Sequence, residues 1–197
     1  MEKNRVTRNI SLLVIAGSAG SLDVILKTLP HISVDLTFPI IIVVHRKASY
    51  DSSLANLLAT RTALPVVEAE EKDMLKNGTI YLAPADYHLL VENDRSVSLD
   101  YSEKIQYSRP CIDVTLETVA GVYKDKAGAI LLSGANSDGS RGLRMIKDAG
   151  GVTAVQNPAS AEVSFMPNQA LQNVSIDYVL ETDDIAWFIN KLSLGTF

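Results

Sequence analysis

Residues 10–30 read ISLLVIAGSAGSLDVILKTLP, and three textures follow one another within them. Residues 10–16 are apolar and rich in branched side chains, the composition of a buried strand. Residues 17–21, Gly-Ser-Ala-Gly-Ser, are small and turn-forming, after which Leu22, Ile25, Leu26 and Leu29 recur at helical spacing up to Pro30. A strand that feeds a helix through a tight turn is the building unit of a parallel sheet, since the helix carries the chain back to the start of the next strand.

The alternation continues outward. Residues 38–44, FPIIIVV, are almost continuously apolar up to His45, as a strand covered on both faces requires. Ser52, Leu54, Leu57 and Leu58 predict a helix to about residue 62, and residues 64–69 a weaker strand. Residues 79–83 read as a strand, while residues 87–92 and 96–101 flank Asn93-Asp94-Arg95 as an antiparallel hairpin. Ile112, Leu116, Val119 and Val122 then mark the inner face of a helix with Pro110 in its first turn. A buried-type strand over residues 127–133 delivers the loop 134–139, followed by a helix carrying Leu143, Met145 and Ile146 to Gly150. Strands at residues 152–156 and 178–180 enclose a helix over 162–172 with an irregularity at Pro167, and residues 183–192 close the chain as an amphipathic helix. This order predicts an α/β fold: a doubly wound, mostly parallel sheet in a three-layer α/β/α sandwich with a local antiparallel hairpin, all in one domain.

Composition removes several function classes. Lys and Arg total 18 and Asp and Glu 23, so the formal net charge is −5, which argues against a broad nucleic-acid surface. One cysteine and three histidines exclude an internal disulfide and a Cys/His zinc cluster, and no metal is expected. No apolar stretch approaches the roughly 17–25 residues of a membrane-spanning helix, and residues 1–9 are charged with no signal-peptide core behind them. The expectation is a cytoplasmic protein that neither binds nucleic acid nor inserts into a membrane.

In a sheet of this kind functional groups gather beyond the carboxyl ends of the strands, near the switch in strand order. Loops 17–21, 45–47 and 134–139 meet that condition and bring Ser18, His45 and Asp138. Separation in sequence is no obstacle, because neighbouring strands lie about 4.8 Å apart. Ser18 reads as a nucleophile on a sharp turn, although the spacing is not G-x-S-x-G. Two other readings stay open: Ser18 or Ser21 caps the following helix, or the turn binds a phosphate, although a Walker lysine and G-x-G-x-x-G are both lacking. His45 reads as a general base or as a hydrogen-bonded structural histidine, since an imidazole titrates near neutral pH. Asp138 either accepts a hydrogen bond from Nδ1–H of His45 or serves as a turn and cap in Ser-Asp-Gly-Ser. His31 and His88 read as structural or surface residues.

The set resembles the catalytic domain of the bacterial chemotaxis protein-glutamate methylesterases, over about residues 12–180. Gly17-Ser18-Ala19-Gly20-Ser21 is similar to the family's alanine-serine-threonine-glycine-glycine turn, His45 follows the second strand as the family histidine does, and Asp138 precedes Gly139 in a glycine-containing loop. Tyr81-Leu82-Ala83-Pro84, Arg109-Pro110-Cys111-Ile112-Asp113, Gln156-Asn157-Pro158-Ala159-Ser160-Ala161 and Met166-Pro167 resemble further family landmarks. The resemblance implies hydrolysis of glutamyl γ-methyl esters on the cytoplasmic helices of methylated chemoreceptors, with deamidation of receptor glutamines in many members and no metal or organic cofactor. It assigns Ser18, His45 and Asp138 to catalysis and Ala19, Gly20, Ala135 and Asn136 to the oxyanion or active-site loops. Substrate contacts are expected from Met166, from Arg109, which reads equally as a structural hydrogen bond or ion pair, and from Arg46 and Lys47, which stand where most members have methionine-proline and read otherwise as solvated surface.

Familiar members also carry a phospho-acceptor receiver domain, for which the nine residues ahead of the first predicted strand leave no room. The expected organisation is an extension over residues 1–9 and a catalytic domain over 10–197, either constitutively active or controlled by a separate regulatory protein. Ala19, Ser21 and Gly134-Ala135-Asn136 depart from the family pattern. A non-catalytic receptor-binding or scaffold module that keeps the fold is therefore the alternative reading.

Overall fold

The computed structural model describes residues 9–46 and 53–195. Seven strands form the main sheet: β1 (Leu12–Gly17), β2 (Ile40–Val44), β3 (Val66–Glu68), β4 (Ile80–Leu82), β7 (Ala127–Leu131), β8 (Val152–Gln156) and β9 (Tyr178–Leu180). Their order is β3-β4-β2-β1-β7-β8-β9, with every neighbouring pair parallel. Strands β5 (His88–Val91) and β6 (Val97–Asp100) make the separate antiparallel hairpin that the sequence predicts.

Period-two alternation divides the strand side chains between two cores. Leu13 and Ile15 of β1 and Ile40, Ile42 and Val44 of β2 pack with α1 (Ser21–Thr28), α2 (Ser53–Ala59) and α6 (Ile185–Leu194). Leu12, Val14, Ala16, Ile41 and Val43 point the other way, into a core with α3 (Ile112–Tyr123), α4 (Ser140–Asp148) and α5 (Phe165–Asn173). Both faces are therefore covered, which is why β1 and β2 are apolar at every position.

Strand order reverses at β1, which has β2 on one side and β7 on the other. The helix after β1 packs on one face of the sheet and the helix after β7 on the opposite face, so a crevice opens at this edge. Among the described residues no helix is long and apolar enough to cross a membrane.

Two local expectations change. Helix α5 begins at Phe165, so Pro167 is its third residue and the N–H it lacks is one that no helix satisfies internally; no irregularity is needed. Helix α3 begins at Ile112, which leaves Pro110 ahead of the first turn instead of within it. The helix starts where its first N–H groups find an acceptor, and that acceptor comes from another loop.

Candidate functional site

The parallel register runs Gly17 against Val44, and the N–H of His45 donates to the carbonyl of Gly17 at 3.2 Å, so Ser18 and His45 leave the sheet side by side. The N–H of Ser18 donates to the carbonyl of Ser133 at 2.9 Å, which ties the turn to the end of β7 as well. Ser21 donates both its N–H (3.0 Å) and its hydroxyl (2.7 Å) to the carbonyl of Ser18. The turn is thus closed by Ser21. The Ser18 side chain makes no capping bond, and its half-exposed hydroxyl has no partner among the described residues.

His45 Nε2 lies 2.7 Å from Asp138 Oδ2. The sequence reading expected Nδ1 on this side, and the ring is turned the other way. Asp138 is completely buried and accepts four hydrogen bonds. Oδ2 takes His45 Nε2–H and the N–H of Ile112 (2.7 Å), while Oδ1 takes the N–H of Asp113 (2.8 Å) and the thiol of Cys111 (3.2 Å). Burial opposes the charge on Asp138, yet the bonds from His45, Asp113 and Ile112 outweigh it, and its carboxyl stays below the ordinary carboxylate value. An acceptor-only carboxylate fixes the proton of neutral His45 on Nε2 and leaves the Nδ1 lone pair facing the opening.

Asp138 also caps α3, and α3 returns the favour. Asp113 in its first turn, 1% exposed, accepts the N–H groups of Gly139 (2.9 Å) and Gly142 (2.7 Å) at the start of α4. Each helix therefore begins on a carboxylate supplied by the other. The exchange needs a close approach, which Gly142 permits: a Cβ there would stand 2.5 Å from Leu116 Cβ. Gly139, at φ +95°, supplies the left-handed turn that brings Asp138 and α4 into place. Burial raises the Asp113 carboxyl above its ordinary value, and the nearby Asp138 charge adds to this. Burial likewise pushes the Cys111 thiol up to about 12, followed by the Asp138 charge, so the sulfur remains a neutral donor.

The N–H groups of Ala19, Gly20, Ala135 and Asn136 find no acceptor among the described residues, and both stretches border the serine turn or the Asp138 loop. Asn136 also shapes that loop by accepting the Asp138 N–H at 3.2 Å. Unpaired N–H groups at a turn are chemically able to donate to an anionic oxygen.

The expected substrate contacts fare differently. Met166 is completely buried, and a Cβ on Gly134 would lie 2.5 Å from its Cε, so it supports the 134–139 loop from beneath and does not face the opening. Arg109 donates to Asp86 Oδ1 (2.9 and 3.2 Å) and to the carbonyls of Tyr101 (3.0 Å) and Ser102 (2.6 Å), with its guanidinium 3.9 Å from the Tyr101 ring centroid. Four of its five N–H donors are spent on fastening the arm that joins β6 to α3. Arg46 is held by Glu68 and the Ala83 carbonyl, at 15% side-chain exposure, so it is not a free steering charge. Lys47 lies outside the described residues. His45, Arg46, Asp86, Lys104, Tyr107, Ser108 and Arg109 line a cleft of about 620 Å³.

Three contributors were missed by the sequence reading. Asp113 was read only as the last residue of the Arg109-Pro110-Cys111-Ile112-Asp113 landmark and was given no role, and Ser108 lies in a stretch without periodicity; Ser108 Oγ stands 3.3 Å from His45 Nδ1. Gln106 Nε2 donates to Asp113 Oδ2 at 2.9 Å. His88 is structural, as expected: it accepts the Cys111 N–H at Nδ1 (3.1 Å) and donates from Nε2 to the Glu103 carbonyl (3.0 Å). Among the described residues no group of three or more His, Cys, Asp and Glu could hold a metal ion.

A family model described as CheB methylesterase matches residues 13–189. A Leptospira interrogans protein, provisionally named a protein-glutamate methylesterase/protein-glutamine glutaminase, is 42% identical over 184 residues, covering 93% of this chain and 95% of its own. A Thermotoga maritima enzyme of the same name, given there without qualification, is 35% identical over 175 residues, 86% of this chain and 50% of the longer relative. The crystal structure of the Thermotoga maritima CheB methylesterase catalytic domain superposes with a TM-score of 0.88 at 32% identity, over 93% of this chain and 99% of that one.

Proposed function

Given that the chain belongs to the CheB methylesterase family, we propose that it is a serine hydrolase that removes methyl esters from glutamate side chains of chemoreceptors and deamidates receptor glutamines. The observation that carries this reading is the bond from His45 Nε2 to buried Asp138 at the strand end adjoining Ser18. With Nε2–H committed, Nδ1 is the ring nitrogen left to take a proton.

In this reading Ser18 Oγ attacks the side-chain carbonyl carbon of the glutamyl methyl ester while its proton passes to Nδ1 of His45. The carbonyl oxygen becomes an oxyanion and meets the free N–H groups of Ala19, Gly20, Ala135 or Asn136; one such donor is worth about two to three orders of magnitude in kcat. Asp138 stabilises the imidazolium through Nε2–H. Nδ1–H then protonates the methoxy oxygen, which leaves as methanol, or the amide nitrogen of a glutamine, which leaves as ammonia, and an acyl-serine remains. Water repeats the sequence: Nδ1 takes its proton, the hydroxide oxygen adds to the acyl carbon, and Ser18 recovers the proton as the receptor's glutamyl carboxylate departs. Arg109 and Arg46 act here by holding the cleft walls, not by grasping substrate.

The test is release of methanol from methylated receptor helices, and of ammonia from glutamine-bearing ones, by the parent protein and by Ser18→Ala. Release by the parent that Ser18→Ala abolishes supports the reading. Equal release by both, or none by either, rejects it.

A further inference from the structure

Nδ1 of His45 has one lone pair, and two serine hydroxyls have claims on it. In the proposed mechanism Ser18 must deliver its proton there, yet the hydroxyl within hydrogen-bonding reach is that of Ser108, at 3.3 Å. Because Nε2 donates to Asp138, Nδ1 of neutral His45 is an acceptor and Ser108 O–H is the donor.

The arm bearing Ser108 is pinned in place. Ile105 and Ser108 exchange backbone hydrogen bonds (3.3 and 2.9 Å) around Gln106 and Tyr107, both non-glycine residues with φ of +49° and +64°. Such left-handed residues persist where surrounding contacts over-determine them. Here those contacts are the Gln106 bond to buried Asp113 on one side and the Arg109 clamp on Asp86 and the Tyr101 and Ser102 carbonyls on the other. Asp138 and the sheet edge already fix the imidazole, so Ser108 is not needed to orient it. What the hydroxyl adds is occupancy of the base.

We propose that Ser108 is a positioning residue that holds Nδ1 of His45 in the unloaded site and must yield it to Ser18 before the first proton transfer. Tyr107, next to it, is 98% exposed on the same cleft wall, where a docking receptor helix would press on the arm and draw Ser108 away. A small ester exerts no such leverage. The inference therefore concerns regulation of the proposed esterase site and rests on that reading for its kinetic part.

Two measurements keep it separate from that reading. The first is the 15N resonance of His45 Nδ1 at neutral pH in the parent, Ser108→Ala and Ser108→Thr, which needs no catalytic activity. The second is kcat/KM as a function of pH for 4-nitrophenyl acetate and for methylated receptor helices. The titratable and charged groups that share the cleft with His45, namely Arg46, Asp86, Lys104, Tyr107 and Arg109, and its partner Asp138, are unchanged in all variants.

Ser108→Ala should move the Nδ1 resonance and Ser108→Thr restore it. In Ser108→Ala the small-ester kcat/KM should rise about threefold, the worth of one long neutral hydrogen bond, with its acid limb displaced upward by about half a pH unit. The gain on receptor helices should be smaller. An unmoved Nδ1 resonance, or a kcat/KM that is unchanged or lower in Ser108→Ala, overturns the proposal. A parent inactive on both substrates rejects the esterase reading, and the resonance then still decides whether Ser108 holds the base.

Discussion

Asp138→Asn separates the two tasks of one buried side chain. Each carboxylate oxygen accepts one backbone N–H, from Ile112 at Oδ2 and from Asp113 at Oδ1, so the amide group of asparagine must face one of them whichever way it turns. The better orientation puts the carbonyl at the Oδ2 position, where it serves two strong donors, His45 Nε2–H and the Ile112 N–H. The amide NH2 then faces the Asp113 N–H and the Cys111 sulfur, and one buried N–H is orphaned. That costs about 2 kcal/mol. For a chain of 197 residues the expected fall in Tm is about 4–8 °C.

The same orientation keeps the proton of His45 on Nε2, so the tautomer survives and only the charge opposite the imidazolium is lost. Loss of that charge assistance, about 2 kcal/mol, corresponds to roughly thirtyfold in kcat. A turned asparagine would instead move the ring proton to Nδ1 and cost about four orders of magnitude. Calorimetry and methanol release on the purified variant decide between them. A parental Tm together with a ten-thousandfold loss would refute the reasoning, because it would mean that the Asp138 carboxylate is not needed by α3 and that the asparagine has turned and moved the ring proton to Nδ1.

Three other outcomes follow from the same contacts. Protonating Asp138 removes a group whose folded pKa lies below its ordinary 3.8, so the stability it contributes is complete above that pH and is lost as pH falls below it; the acid-induced drop in urea midpoint should be smaller in Asp138→Asn than in the parent. Cys111, buried and raised to about 12, should resist iodoacetamide at pH 8 in the native protein and react in guanidinium; rapid native labelling would contradict its burial against Asp138. Arg109→Ala should loosen the arm, with chymotryptic cleavage within residues 101–109 faster by on the order of tenfold and comparable losses of kcat/KM on small and receptor substrates; a KM effect confined to receptor helices would restore a substrate-binding role.

The fold was legible because its signals are local. The apolar runs of β1, β2 and β7 are long enough for strands and lack the alternation of a half-exposed sheet, and each is followed by a turn and a helical period. The loops bearing Ser18, His45 and Asp138 were legible for the same reason, as polar segments at the ends of buried strands. What escaped was set by side chains meeting across the chain. No local pattern says that Asp138, in the loop ahead of α4, accepts from the first N–H groups of α3 while Asp113 of α3 accepts from those that open α4, nor that His45 presents Nε2 to Asp138. For Arg46 and Arg109 the sequence could not name the partners that claim them, because Glu68 and Asp86 lie 22 and 23 residues away. Met166 was drawn into the site by its place in a motif, whereas the lack of a Cβ at Gly134 is what lets it pack under the loop.

The central claim is that Ser18 is the nucleophile and that His45 Nδ1 activates it. A fluorophosphonate probe reports this directly, since it reacts with an activated serine and leaves an adduct that peptide mass spectrometry locates. The account predicts stoichiometric labelling at Ser18 in the parent, faster labelling in Ser108→Ala, and none in His45→Ala. Labelling at Ser108, or labelling at Ser18 that persists without His45, would contradict it.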